Sequence, residues 1–149
     1  MLEAELTSNQ FAHFLVARQQ AESTTEAGPT IIGYHCFWIV FEELRLMNLA
    51  VRESMRRRGV GARLVGEALR LGVKQAATRA VLEVRASNNA ARSLYTRLGF
   101  VQVSRRPHYY TNPIEDAVLM EMNPLVISSG QRRDRGFPSG GESASSDVH

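Results

Sequence analysis

Two side chains have the type and setting for proton transfer. The segment Leu82 to Phe100 reads LEVRASNNAARSLYTRLGF. With Ala80–Arg85 as a strand, Leu82 and Val84 face one side while Val81, Glu83 and Arg85 face the other. Glu83 is then a carboxylate among apolar neighbours in a central strand, which needs a partner, water or a raised pKa, the setting of a general base. The plainer reading pairs it with an arginine such as Arg85 or Arg92, and pattern alone favours that by roughly two to one. Tyr95 sits on the next helix with Ala91, Leu94 and Leu98 at helical spacing. A tyrosine there is ordinarily core, its hydroxyl bonded nearby; its chemical use is as a phenol that protonates a leaving group.

A second constellation is an anion site. The run Leu46 to Leu69, LMNLAVRESMRRRGVGARLVGEAL, passes from an apolar strand through Arg56-Arg57-Arg58-Gly59-Val60-Gly61 into a helix-period pattern. The first helical N–H groups have no intrahelical acceptor, and the helix dipole adds about half a positive charge there. Gly59 and Gly61 let backbone approach a ligand where a Cβ would collide. The R-x-x-G-x-G spacing lacks the lysine and hydroxyl that hold a triphosphate and its magnesium, which argues against an NTPase.

These groups are positioned by a coarse order of elements. Leu2–Leu6 reads as the end of a helix too short to stand alone. Phe14–Ala17 is a short strand, Gln19–Pro29 a hairpin loop, and Thr30–Val40 (TIIGYHCFWIV) the clearest strand. Phe41-Glu42-Glu43 turns the chain into a strand over Leu44–Val51. A helix follows from Val60 to about Gln75, with apolar residues at 60, 64, 65, 68, 69, 71 and 72. Ala86–Asn89 offers side-chain oxygens to cap the next helix, which stops at Gly99. Phe100–Ser104 is a strand, Arg105–Asp116 a loop containing Pro107 and Pro113, and Ala117–Met122 the last strand. A meander followed by alternating helix and strand gives an α/β fold: a mixed, mostly antiparallel sheet with helices on both faces.

Composition bounds the rest. The chain has 149 residues, 44% hydrophobic and 22% charged, as for one globular domain. A net charge of +3 is mild, and no recognition motif accompanies it, so direct nucleic-acid binding is not expected. The single cysteine, Cys36, excludes an internal disulfide, fits a reducing compartment and reads as a structural thiol. His13, His35, His108 and His149 have no ligand spacing, so no metal site is expected. The start is unlike a signal peptide and no apolar run approaches the ~20 residues that span a bilayer, so a cytoplasmic location without membrane contact is expected. Residues 125–149 are read as a disordered Ser/Gly/Arg tail after a domain over 1–124.

Taken together, L-A-V at 49–51, R-R-R-G-V-G-A at 56–62, L-E-V-R-x-S-N at 82–88 and A-x-x-L-Y-x-x-L-G-F at 91–100 resemble the GNAT superfamily of acetyl-CoA-dependent N-acetyltransferases. The closer resemblance is to the RimI-type ribosomal-protein-alanine N-acetyltransferases, whose R-x-x-Y-Y…E-D-A-x-x-M is similar to Arg105–Met120. The resemblance implies the GNAT fold, with a sheet splayed at the cofactor site. It implies that Arg56, Arg57, Arg58, Gly59, Val60, Gly61 and Ala62 hold the CoA pyrophosphate. Leu49, Ala50 and Val51 would bond pantetheine, an N–H near Val51 would polarise the thioester carbonyl, and Asn88 would contact the cofactor arm. Glu83 matches the general base and Tyr95 the general acid for the thiolate.

Acetyl transfer would be direct, to the α-amino group of a protein N-terminus, with Ala of a small-subunit ribosomal protein as the expected acceptor. Broader N-terminal or lysine acetylation is an alternative. The family's first strand and long helix, which help wall the acceptor groove, are read as missing from the sequence, with an edge left exposed as the expected consequence. A non-catalytic acetyl-CoA-binding module is therefore the third reading.

Overall fold

The computed structural model describes residues 2–8, 11–19 and 30–127. Seven strands form one sheet: β1 (Leu2–Ser8), β2 (Ala12–Gln19), β3 (Thr30–Val40), β4 (Glu43–Val51), β5 (Arg79–Arg85), β6 (Val101–Thr111) and β7 (Ile114–Met122). Among the described residues two α-helices, α1 (Val60–Lys74) and α2 (Asn89–Leu98), accompany the sheet. The spatial order is β1-β2-β3-β4-β5-β7-β6. All neighbours are antiparallel except β4 and β5, which run parallel and are joined through α1. The expected mixed, mostly antiparallel sheet is present.

Alternation decides which side chains meet the helices. Gly33, His35, Phe37 and Ile39 of β3 are buried on the inner face, beside Leu44 and Leu46 of β4 and Ala80, Leu82 and Val84 of β5. α1 closes this face with Val60, Leu64, Val65, Ala68, Leu69 and Gly72, one helical stripe. A Cβ on Gly33 would lie 2.9 Å from the Ala50 carbonyl oxygen, so only glycine lets the start of α1 and the end of β4 approach β3 this closely. α2 adds Ala91, Leu94 and Tyr95 and touches α1.

Four expectations change. Leu2–Leu6 is strand, not helix end, because Leu2-Glu3-Ala4-Glu5-Leu6 alternates apolar and acidic with the strand period of two. That strand pairs along β2 from Leu2↔Gln19 to Ser8↔His13, so the edge of β2 is covered and a strand does precede it. Arg105–Asp116 is mostly strand: β6 continues to Thr111 and β7 begins at Ile114. The prolines mislead there, since β6 is an edge strand whose ladder breaks between Arg106 and Tyr110, where Pro107 is tolerated. Finally, among the described residues both helices lie on the inner face. The outer face shows Phe14, Tyr34 and Trp38 at 38%, 37% and 44% exposure, with Phe14 and Tyr34 stacked at 5.4 Å.

The other elements fall near their expected places, β5 one residue earlier than read. Leu125 is buried, donates its N–H to the Thr78 carbonyl at 2.8 Å, and so extends the core one residue past Pro124. The hairpin loop at 20–29 and the tail from 128 onward lie outside the described residues.

Candidate active site

The parallel pair β4–β5 is joined only from Glu43↔Arg79 to Leu46↔Leu82. Beyond that point both strands continue, β4 to Val51 and β5 to Arg85, without pairing. The local cause is a bulge: Phe37 pairs with Leu46 but Cys36 with Asn48, so Met47 is an extra residue that turns β4 away from β5. The result is an opening in the middle of the sheet, flanked by Leu49, Ala50 and Val51 on one side and Glu83 on the other. Arg52 donates its N–H to the Ile32 carbonyl of β3 at 2.7 Å. Since successive N–H groups alternate along a strand, the Val51 N–H faces the opening.

At the mouth of the opening β4 passes through a 3-10 turn, Glu53–Met55, into the arginine loop. Arg56 donates from Nε to the Val51 carbonyl at 3.1 Å, which ties the loop to the strand end. Arg56, Arg57 and Arg58 are all exposed. Gly59 takes φ +79° as the residue before α1, and the space around its absent Cβ is empty to 4 Å. The first helical bond of this turn runs from the Arg63 N–H to the Gly59 carbonyl. The N–H groups of Val60, Gly61 and Ala62 therefore lie ahead of it, with no acidic side chain in the first turn to answer them. Open space over a left-handed glycine, helix-start donors with no intrahelical acceptor and three exposed arginines, Arg56 among them anchored through Nε, together fit a pyrophosphate.

Glu83 projects from the outer face, its side chain 22% exposed, with Oε2 3.5 Å from Nη1 of Arg106. The expected partner Arg85 instead pairs with Glu115, and Arg92 donates to the Ala86 carbonyl and to Gln102. Arg106 stands 23 residues beyond Glu83 in the chain, a spacing with no pairing signal; it arrives because β7 lies between β5 and β6 and so sets β6 two strands from β5. Tyr110 lies nearby: burial comes first among the causes that raise its pKa, and the Glu83 carboxylate adds to it.

Tyr95 occupies the inner side, 6% exposed and edge-on to Phe100 at 5.6 Å between ring centres. Desolvation pushes its phenol up to about 12, so the proton is present at neutral pH. Asn88 caps α2, its Oδ1 accepting the Ala91 N–H at 3.1 Å. That oxygen is engaged, and the amide NH₂ is what Asn88 can offer a ligand. Replacing Asn88 by Ala should lower stability by about 1 kcal/mol, the usual worth of such a cap, seen as a lower urea midpoint at unchanged slope.

Arg106, Tyr110 and Glu115 receive no role from spacing, and their signal is the R-R-P-H-Y-Y-T-N-P-I-E-D-A motif itself; Arg85 is expected from the sequence only as a partner of Glu83. Among the described residues no group of three or more His, Cys, Asp or Glu is placed to hold a metal, and no helix is long and apolar enough to cross a membrane.

A mixed sheet parted between the parallel strands β4 and β5, with an unanswered helix N-terminus at the mouth, defines an acyltransferase fold of known kind. It matches the crystal structure of the ribosomal-protein-S18-alanine N-acetyltransferase from Escherichia coli with a TM-score of 0.63 and 28% identity, over 82% of this chain and 74% of that one. Residues 2–100 match the model of the acetyltransferase (GNAT) family, and the chain belongs to that family of N-acetyltransferases. It is 34% identical over 116 residues to a Bacillus subtilis (strain 168) protein provisionally named a [ribosomal protein bS18]-alanine N-acetyltransferase, spanning 78% of this chain and 72% of the relative. The [ribosomal protein bS18]-alanine N-acetyltransferase of E. coli (strain K12) is 38% identical over 86 residues, 56% of this chain. Only 58% of that relative's length is covered, so the chain spans a little over half of it.

Proposed function

We propose that this protein transfers acetyl from acetyl-CoA directly to the α-amino group of a protein N-terminus, with alanine of a small-subunit ribosomal protein as acceptor. The observation that carries this reading is the parting of β4 and β5, which sets the Val51 N–H and Glu83 on opposite sides of one opening. The likeness to relatives named for alanine N-acetylation supports the acceptor class.

In this reading Arg56–Arg58 and the N–H groups of Gly59, Val60, Gly61 and Ala62 hold the pyrophosphate. Leu49, Ala50 and Val51 bond the pantetheine arm through their backbone, and Asn88 reaches it with its amide NH₂. The neutral amine attacks the thioester carbonyl carbon, whose oxygen draws on the Val51 N–H as its charge develops. As the C–N bond forms, the C–S bond breaks. The amine's surplus proton passes to Glu83, directly or through water, and the departing sulfur takes the phenolic proton of Tyr95. A phenol at about 12 is a weak acid, yet the apolar site that raises it raises the proton affinity of a thiolate beside it for the same reason.

An α-amine suits so modest a base. Titrating near ~7.8, about a quarter of it is neutral at pH 7.4, against about one in a thousand for a lysine near ~10.4.

The test is intact-mass analysis of an Ala-starting ribosomal peptide after incubation with the protein and acetyl-CoA, with Pro-starting and N-blocked peptides as controls. One acetyl on the free Ala terminus alone is the expected result. Acetylation of internal lysine in the blocked peptide would favour the broader activity. Acetyl-CoA binding without transfer to any peptide would leave a non-catalytic binding module.

A further inference from the structure

Arg85 lies two residues after Glu83 on the same face of β5 and makes more connections than any other side chain near it. Its guanidinium sits 4.2 Å over the Tyr110 ring. Nη1 donates to the Pro113 carbonyl and to Glu115 Oε1, each at 3.3 Å, and Nη2 to the Asn112 carbonyl at 3.5 Å. Glu115 in turn accepts the Ser87 N–H on Oε2 at 2.6 Å. One planar cation thus holds residues from both sides of the β6–β7 turn, and its carboxylate partner clasps the turn that leaves β5.

The hairpin tip needs such a strut. β6 and β7 pair from Val101 to Arg106, but the ladder then breaks and resumes only as Tyr110↔Glu115 and Thr111↔Ile114. Two pairs beyond an irregularity, on an edge strand exposed along nearly its whole length, are weakly held by themselves. Yet this tip carries Tyr109 and Tyr110, the latter close enough to feel the Glu83 carboxylate.

We propose that Arg85 is a positioning residue for the acceptor: it fixes the β6–β7 tip, with Tyr110, as a wall beside Glu83 against which the acceptor's first residues lie. This rests on the transferase reading above. A fork that meets two carbonyls, a carboxylate and an aromatic face at once cannot be replaced by an ammonium. Lysine should therefore fail where a simple need for positive charge would accept it.

Steady-state acetylation of the Ala-starting peptide by Arg85→Lys and Arg85→Ala is the kinetic arm. KM for the peptide should rise roughly tenfold in both, while kcat and the KM for acetyl-CoA stay within about threefold. Amide hydrogen exchange of the acetyl-CoA-bound protein is the second arm and needs no acceptor. Exchange across 107–116 should quicken roughly tenfold in both variants, with β3 and α1 unchanged. Should Arg85→Ala fail to fold, Arg85→Lys carries both arms. Unchanged peptide KM in an active variant, or full rescue by lysine, overturns the proposal. If the unaltered protein acetylates no terminus, the transferase reading falls, and unaltered exchange at 107–116 would then separately remove the strut.

Discussion

Glu83→Gln is expected to lower kcat by roughly 10²-fold with the dissociation constant of acetyl-CoA unchanged, because general-base assistance is commonly worth that much or more. The substitution keeps shape and one acceptor oxygen but removes the charge that receives the amine proton. It also leaves Arg106 facing a neutral amide instead of its present carboxylate partner. That pair is half exposed on the Arg106 side, so its loss should hardly alter folding. Tyr95→Phe is the companion: a loss of roughly tenfold or more in kcat, with Phe100 still packed edge-on against the ring. Since both groups serve one transfer, the double variant should lose less than the product of the two. The measurements are initial rates under saturating acetyl-CoA and calorimetric titration of acetyl-CoA. Full turnover in both single variants would strip Glu83 and Tyr95 of their assigned roles, whatever the fold.

The second large effect is on stability and comes from a residue with no catalytic part. His35 is fully buried, with Nδ1 donating to the Leu64 carbonyl at 3.4 Å and Nε2 without a partner among the described residues. Desolvation pulls its pKa down to about 4, against the weaker upward pull of that carbonyl. The unfolded chain, with an ordinary histidine near ~6.5, therefore binds a proton that the folded chain refuses between those values. Stability from this source is complete above about 6.5 and is lost as pH falls toward 4. Between pH 7.5 and pH 5 the loss is about 2 kcal/mol. His13, buried and stacked on Phe37 at 5.2 Å, is shifted in the same direction by the same cause. Urea midpoints at the two pH values should differ clearly for the unaltered protein and much less for His35→Leu. An equal pH dependence in both would place the effect elsewhere, for instance at His13, whose pKa is lowered by burial in the same way.

His35 illustrates how far a sequence can be read. The alternation of TIIGYHCFWIV identified β3, but it did not say which of its two faces would be closed. The helices settled that: α1 covers Gly33, His35, Phe37 and Ile39, so a histidine that looked like one of four unremarkable ones is core, while Trp38 stands exposed. In the same way the sequence reads β6 only as far as Ser104 and its second half as a loop on account of Pro107 and Pro113, because local punctuation outweighs alternation where both faces of an edge strand are wet.

Local pattern did determine most of what holds the candidate site. The arginine-glycine turn, the stripe of α1, the Asn88 cap, Gly99 after α2 and the alternation that puts Glu83 opposite Leu82 and Val84 are short-range facts, fixed by backbone geometry within a few residues. What only the tertiary structure decided is long-range. Whether β4 leaves β5 after Leu46 depends on a bulge opposite β3, and whether Glu83 meets Arg106, or Arg85 meets Tyr110 and Glu115, depends on β7 inserting between β5 and β6. Those pairings join residues from strands far apart in the chain, and no periodicity within a strand carries the information about which strand will lie beside it.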